Sequence, residues 1–353
     1  MDPLAHTLVG AALGRAVSDR RIPWAGLLGA IAGNAPDWTE PIVTPPFWTP
    51  RSGPAYLLYH RGITHSFAGA AVLIVGLTAV AGLLLRWLAA RRGAAPPPWR
   101  WIAACVAAGV MSHLYLDWQG SYGVRPLLPW NATWYYADWV AIVDPFFWML
   151  PLIALAWGAR RHWAPALAYG FALAGVEALV LWGWRAAVVA LWVWLVGVAL
   201  GGACVIGWVR HWFGVAGRRR ATAYAMGALT VYAAANGLAS LWAKALAREE
   251  AIRRFGPTAE WAALTVVGRP FRWQAICASA DTVAGHDWAA PRHLGHPAVR
   301  AALATPQGRA VAQFARFLAA DVDSSGGLRV VLRDARYHAG GRPGWAAAVV
   351  RLR

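Results

Sequence analysis

Six stretches between Ser66 and Leu246, each of sixteen to twenty-six residues, carry three charged side chains among them: Asp144, Glu177 and Lys244. A helix rises about 1.5 Å per residue, so about 20 apolar residues cross the roughly 30 Å hydrocarbon core of a bilayer. The stretches are Ser66–Leu85, Trp101–Leu116, Trp139–Trp157, Trp163–Trp182, Ala186–Val209 and Ala221–Leu246, the second being marginal in length. An ordinary soluble domain has no use for this much apolar surface: hydrophobic residues are 59%, charged residues 14%, mean hydropathy is +0.41, and there are 24 Trp. The fold class that follows is an integral-membrane, all-α helical bundle of about six spans. Two shorter N-terminal helices, Leu4–Val17 and Trp24–Ala35, precede it and read as re-entrant or packed against the bundle. They do not read as a signal peptide, because Asp2 and His6 stand where a basic region should be.

Composition then divides the chain into residues 1–65, with short helices and loops, the bundle at 66–250, and a tail at 251–353. The tail alternates apolar and polar residues in Trp261–Val267, Phe271–Ala278 and Arg329–Leu332, which are strand signals, with a helix expected over Ala298–Leu318. It reads as a small soluble α+β domain. Cys105 and Cys204 lie inside spans and Cys277 lies in the tail, so no disulfide framework is expected. Gly10-x-x-x-Gly14, Gly29-x-x-x-Gly33 and Gly197-x-x-x-Gly201 have the spacing that lets helices approach closely.

The formal charge of +17 would suggest nucleic acid in a soluble protein. Here the basic residues are better spent on topology, and no specific nucleic-acid binding is expected. A cytoplasmic loop with Arg86, Arg91, Arg92 and Arg100 places Arg160, Arg161, Arg210 and Arg218–Arg220 on the same side, and leaves Arg125 and Arg185 opposite. The loops before the first span and the tail then face away from the cytoplasm. Arg15, Arg20, Arg21, Arg51 and Arg61 run against this, since they would lie on or near that face too. Trp130, Trp182 and Trp212 fit interfacial belts.

Imidazoles and carboxylates are costly at membrane depth unless paired, hydrated or bound to metal. His6, His60, His65 and His113 nonetheless precede residue 114, with Asp37 and Asp117 beside the same apolar segments. His113-Leu-Tyr-Leu-Asp117 places an imidazole and a carboxylate on one helix face, able to chelate an ion. In His60-Arg-Gly-Ile-Thr-His65-Ser66, Gly62 permits a turn, Thr64 or Ser66 can cap the first span, and two imidazoles flank its start. Asn34-Ala-Pro36-Asp37 ends the second short helix, Pro36 forbidding regular helix there. Asp2-Pro-Leu-Ala-His6 repeats the acid–imidazole spacing, with Asp2 also an N-cap ahead of Pro3. Asp144 lies within the third expected span and reads as an orienter of a ligand histidine or a general base. Arg61 and Arg125 can hold an anionic group or anchor at the headgroups.

The segments MDPLAHTLVG, GNAPDW, HRGITHS, SHLYLD and IVDPFFW, in this order, resemble the YdjM-like family of inner-membrane metal-dependent hydrolases, some of whose members are described as LexA-binding. Its motif order is similar to that of zinc-dependent phospholipase C and the related single-strand nucleases. The resemblance implies His6, Asp37, His60, His65, His113 and Asp117 as ligands of one to three ions. This chain has Thr39 where the family usually has a second acid, and Ala5 where it usually has Thr. A donor set of imidazole and carboxylate without thiolate suits Zn²⁺, with Mn²⁺ or Fe as alternatives. The expected function is a membrane-bound hydrolase of phosphoester-type substrates, lipids among them, with Asp144 and Arg61 serving the metal-activated water and the substrate anion. The other class open to the sequence is a non-catalytic membrane scaffold that keeps a structural metal. A transporter using Glu177 and Asp144 would need more polar residues in the later spans.

Overall fold

The computed structural model describes residues 1–18, 20–43, 54–158, 163–210, 217–325, 327–337 and 345–352. Arg51, Arg160, Arg161 and Trp212 lie outside the described residues. In chain order the elements are α1 (Pro3–Ser18), α2 (Ala25–Val43), α3 (Pro54–Tyr59), a 3-10 turn (Ile63–His65), α4 (Phe67–Arg91), α5 (Trp99–Gln119), α6 (Phe146–Gly158), α7 (Trp163–Arg185), α8 (Leu191–Val209) and α9 (Gly217–Phe255). Then come β1 (Glu260–Thr265), β2 (Trp273–Ala278), β3 (Thr282–Ala284), β4 (Ala289–Pro291), α10 (Pro297–Leu303), α11 (Pro306–Phe314), β5 (Leu318–Asp323), β6 (Arg329–Asp334) and β7 (Ala347–Arg351). The chain is mostly helical, with a small C-terminal sheet domain, and divides into two compact units.

The first unit comprises Met1–Thr39, Ile63–Gly237 and Thr265–Arg272. One apolar core in it joins α1 to α6, α7, α8 and α9 through Leu8, Phe147, Met149, Val180, Val193 and Leu229. A second joins α2, α4 and α5 through Ala32, Ala70, Ile102, Val106 and Val110. Ser66 caps α4, its side chain accepting the Gly69 N–H at 3.0 Å, as the sequence suggests. Among the described residues two helical segments are long and apolar enough to cross a membrane, α4 and Leu167–Arg185 of α7; Phe146–Trp157 and Leu191–Gly207 are shorter apolar helices. Val72, Val75, Val80 and Leu83 of α4 point outward, more than 60% exposed, as a lipid-facing side would.

Two helix boundaries differ from expectation in this part of the chain. The helix over 25–43 does not stop at Pro36. Proline removes one backbone donor and crowds the carbonyl four residues back, which bends a helix without necessarily ending it when packing holds both sides. The expected third span starts later, at Phe146, because Asp144-Pro145 begins a helix instead of lying inside one. The Asp144 side chain accepts the Phe146 N–H at 2.9 Å, and Pro145 occupies a first-turn position where no donor is needed.

The second unit comprises Glu40–Gly62, Leu238–Leu264 and Trp273–Arg353. Its sheets run in the orders β1-β2-β3-β4 and β5-β6-β7. The second is antiparallel, with Val330 opposite Val322 and Val350, and Leu332 opposite Ala320 and Ala348. Val330 and Leu332 are fully buried, the period-two pattern of a half-buried strand. The single helix expected over Ala298–Leu318 is broken, because Thr305 accepts the Gly308 N–H and Pro306 starts a new helix, after which the chain turns into β5. The covered side chains of Arg336 and Asp334 form an ion pair, and the guanidinium lies over the rings of Phe314 and Tyr337.

Candidate metal centre

The helices α1 and α2 approach each other through glycines. A Cβ on Gly10 would collide with the Gly29 carbonyl, one on Gly29 with the Gly10 carbonyl, and one on Gly33 would sit 2.7 Å from the His6 carbonyl. Gly109 brings α5 equally close, a Cβ there lying 2.9 Å from the Gly29 oxygen. This contact places His6 of α1, Asp37 of α2 and His113 and Asp117 of α5 around one point, and the 3-10 turn ahead of α4 adds His65.

Five of the six expected ligands therefore meet. Ligand atoms of His6, Asp37 and His113 lie within 4.8 Å of one another, as do those of His65, His113 and Asp117. His65 Nε2 is 3.2 Å from Asp37 Oδ1, 3.4 Å from Asp117 Oδ2 and 3.1 Å from His113 Nε2. His113 Nε2 is 3.5 Å from Asp117 Oδ2, and His6 Nε2 is 3.2 Å from Asp117 Oδ1. The His6 and His113 rings stack at 3.8 Å. The amino group of Met1 also pairs with Asp117. The three histidine side chains are 0% exposed and that of Asp117 2%, whereas that of Asp37 is 26% exposed.

The donors and acceptors of the cluster are arranged around one point. His113 Nδ1 is 2.7 Å from the Gly33 carbonyl, which can only accept, so Nδ1 carries the hydrogen and Nε2 the lone pair. That lone pair faces His65 Nε2 and two carboxylates, all acceptors unless a proton or a cation lies between them. Of the ring nitrogens of buried His6, Nδ1 has no hydrogen bond among the described residues, and Nε2 meets only Asp117 Oδ1 at 3.2 Å. Converging buried lone pairs, one with its tautomer set from behind by a backbone carbonyl, fit a divalent cation. Among the protein groups alone, burial would push His65 down, but the Asp117 and Asp37 carboxylates outweigh it and raise it to about 9.

The other candidates have partners of their own. His60 falls in the second unit, where Nδ1 meets Glu40 Oε1 at 3.0 Å and Tyr56 stacks on the ring at 4.5 Å. Arg61, buried and at φ 52°, donates its backbone N–H to Glu40 Oε2 at 2.9 Å. Glu40 was not singled out by sequence, although it stands one turn beyond Asp37 on α2. The Asp144 side chain is buried between the Phe146 N–H and the Tyr232 hydroxyl, which donates to it at 2.5 Å. Arg125 is buried, with its guanidinium 4.7 Å from the Trp134 ring centre. The Gly33 carbonyl is the partner sequence reasoning missed; the Gly29-x-x-x-Gly33 spacing beside His113 was the available signal.

No curated protein and no solved structure matches the chain. The model of the YdjM inner membrane protein family matches residues 1–211, which hold every residue of the cluster, and the chain belongs to that family.

Proposed function

We propose that this protein is an inner-membrane, metal-dependent hydrolase acting on phosphoester-type substrates. The observation that carries the reading is the convergence of His65, Asp37 and Asp117 on His113 Nε2, whose lone pair is fixed by the Gly33 carbonyl. His6, Asp37, His65, His113 and Asp117 would hold Zn²⁺, or Mn²⁺ or Fe, as one to three ions. A bound ion of this kind supplies a water acidic enough to attack near neutral pH and a charge that draws a phosphoryl oxygen.

The uneven exposure of the ligands favours catalysis over a structural metal. A structural site is closed by protein on all sides, while a catalytic one keeps a position open. Here the histidines and Asp117 seal one side, and Asp37 reaches solvent with exposed Trp38 beside it, an apolar approach suited to a lipid-like substrate. Asp144 enters as a positioning residue that starts α6. About six helices cross the membrane in this reading. The alternation of basic loops turns the metal centre and the C-terminal domain away from the cytoplasm, so a reporter fused after Leu246 should report from outside and one inserted at Gly93 from inside.

Turnover tests the proposal. The metal-loaded full chain in detergent should hydrolyse at least one member of a panel of phospholipids, lipid-linked phosphates and nucleotides, and lose that activity on chelation. A metal-loaded protein that hydrolyses none of them, nor any amide or carboxylic ester, would leave the scaffold reading standing.

A further inference from the structure

The cluster occupies one end of the helices that carry it, and their other end has the opposite chemistry. The last turn of α1, the start of α2, the end of α4 and the start of α5 come together there: the Ser18 hydroxyl donates to the Trp101 carbonyl at 3.0 Å, and Arg92 lies over Trp24 at 5.4 Å. Six exposed arginines, Arg20, Arg21, Arg86, Arg91, Arg92 and Arg100, gather at this end, and among the described residues none of them is paired with a carboxylate. Five of them lie over indoles: besides Arg92, Arg91 over Trp87 at 4.1 Å, Arg86 over Trp99 at 5.8 Å, and Arg21 and Arg100 over Trp101 at 5.9 and 6.0 Å.

We infer that this arginine–tryptophan belt is a binding site for anionic phospholipid headgroups. The apolar outward side of α4 gives way at Arg86 to arginine and tryptophan, the residue types that mark where hydrocarbon ends and headgroups begin. From its first residue to Arg91, α4 spans about 37 Å, so the belt stands a bilayer's hydrocarbon thickness away from the metal centre. A guanidinium resting on an indole keeps its in-plane N–H groups for other partners, and that planar fork matches two oxygens of a phosphate. The density of unpaired charge selects a leaflet rich in acidic lipid over a zwitterionic one. Arg20 and Arg21, which on sequence stood against the topology, fall on the same end as the Arg86–Arg100 loop and support it.

The test uses the full chain in detergent, incubated with micelles containing equal amounts of phosphatidylglycerol and phosphatidylcholine. Lipid retained after gel filtration is then quantified by mass spectrometry. Phosphatidylglycerol should be enriched about tenfold or more, and the enrichment should fade between 0.05 and 0.5 M salt. Replacing Arg91, Arg92 and Arg100 together by Gln should remove most of the enrichment, whereas Arg300→Gln with Arg309→Gln in the C-terminal domain should leave it intact. Should the triple variant fail to fold, the lipid preference and salt dependence of the unmodified chain decide. Equal retention of both lipids, equal loss in the control variant, or displacement of the lipid by an oligonucleotide would overturn the assignment. None of these outcomes depends on metal or turnover.

Discussion

At the scale of single residues, His65 and Asp144 show how a sequence motif acquires its role from neighbours. His65 is held between two carboxylates and raised to about 9 from an ordinary value of 6.5. A group with a raised folded-state value contributes stability fully below its unfolded value, and that contribution is lost as pH rises through the folded one. The metal-stripped protein should therefore lose thermal stability between about pH 6.5 and 9. Metal uptake should strengthen over the same range, since a cation must displace the His65 proton; calorimetry with added Zn²⁺ at several pH values reads both trends, and uptake indifferent to pH would exclude His65 as a ligand. Asp144 carries a different expectation. As the cap of α6, its replacement by Ala should cost about 1 kcal/mol or more of stability and leave metal content unchanged, while Asn, which can still accept the Phe146 N–H, should restore most of it. Full stability with lost turnover in Asp144→Asn would instead give the carboxylate a part in the chemistry. Sequence read the i,i+4 pair of His113 and Asp117 correctly, because helix periodicity alone puts both on one face. It could not place His60, whose partner Glu40 is twenty residues away along the chain.

At the scale of elements, glycines position the centre. Both Gly-x-x-x-Gly pairs in α1 and α2 are used, and the prediction is steep: Gly29→Val puts branched carbon into the Gly10 carbonyl, where no flexible side chain can yield. Overpacking of this kind costs about 1–3 kcal/mol. It should also lower bound metal by separating Asp37 from His6, although Gly29 touches no ligand atom. Gly76→Val, on α4 with open space around it, should do neither, so metal analysis of the two variants side by side checks the claim. Helix boundaries were legible wherever composition decides them, as at Ser66, which caps α4. They were misread at Pro36 and at Trp139–Trp157, because a proline's effect depends on whether packing or a new cap follows it, and the sequence pattern is the same in both cases.

At the scale of the whole molecule, hydropathy identified the helical, membrane-directed part and the change of composition identified the C-terminal sheet domain, because both follow from burial in bulk. What composition could not reveal is which helix ends meet. His6, Asp37, His65, His113 and Asp117 are spread over more than a hundred residues, and their convergence is a property of helix packing. The same packing gathers arginines from the α1–α2 connection, the end of α4 and the start of α5 at the opposite end. The claim on which the functional reading depends is that the cluster holds a metal, and the most direct measurement is metal per chain in the purified protein and in His113→Ala and Asp117→Ala. The unmodified protein should carry at least about one Zn, Mn or Fe per chain, and each variant, still folded by circular dichroism, should lose most of it. Metal content equal in all three proteins would contradict the account.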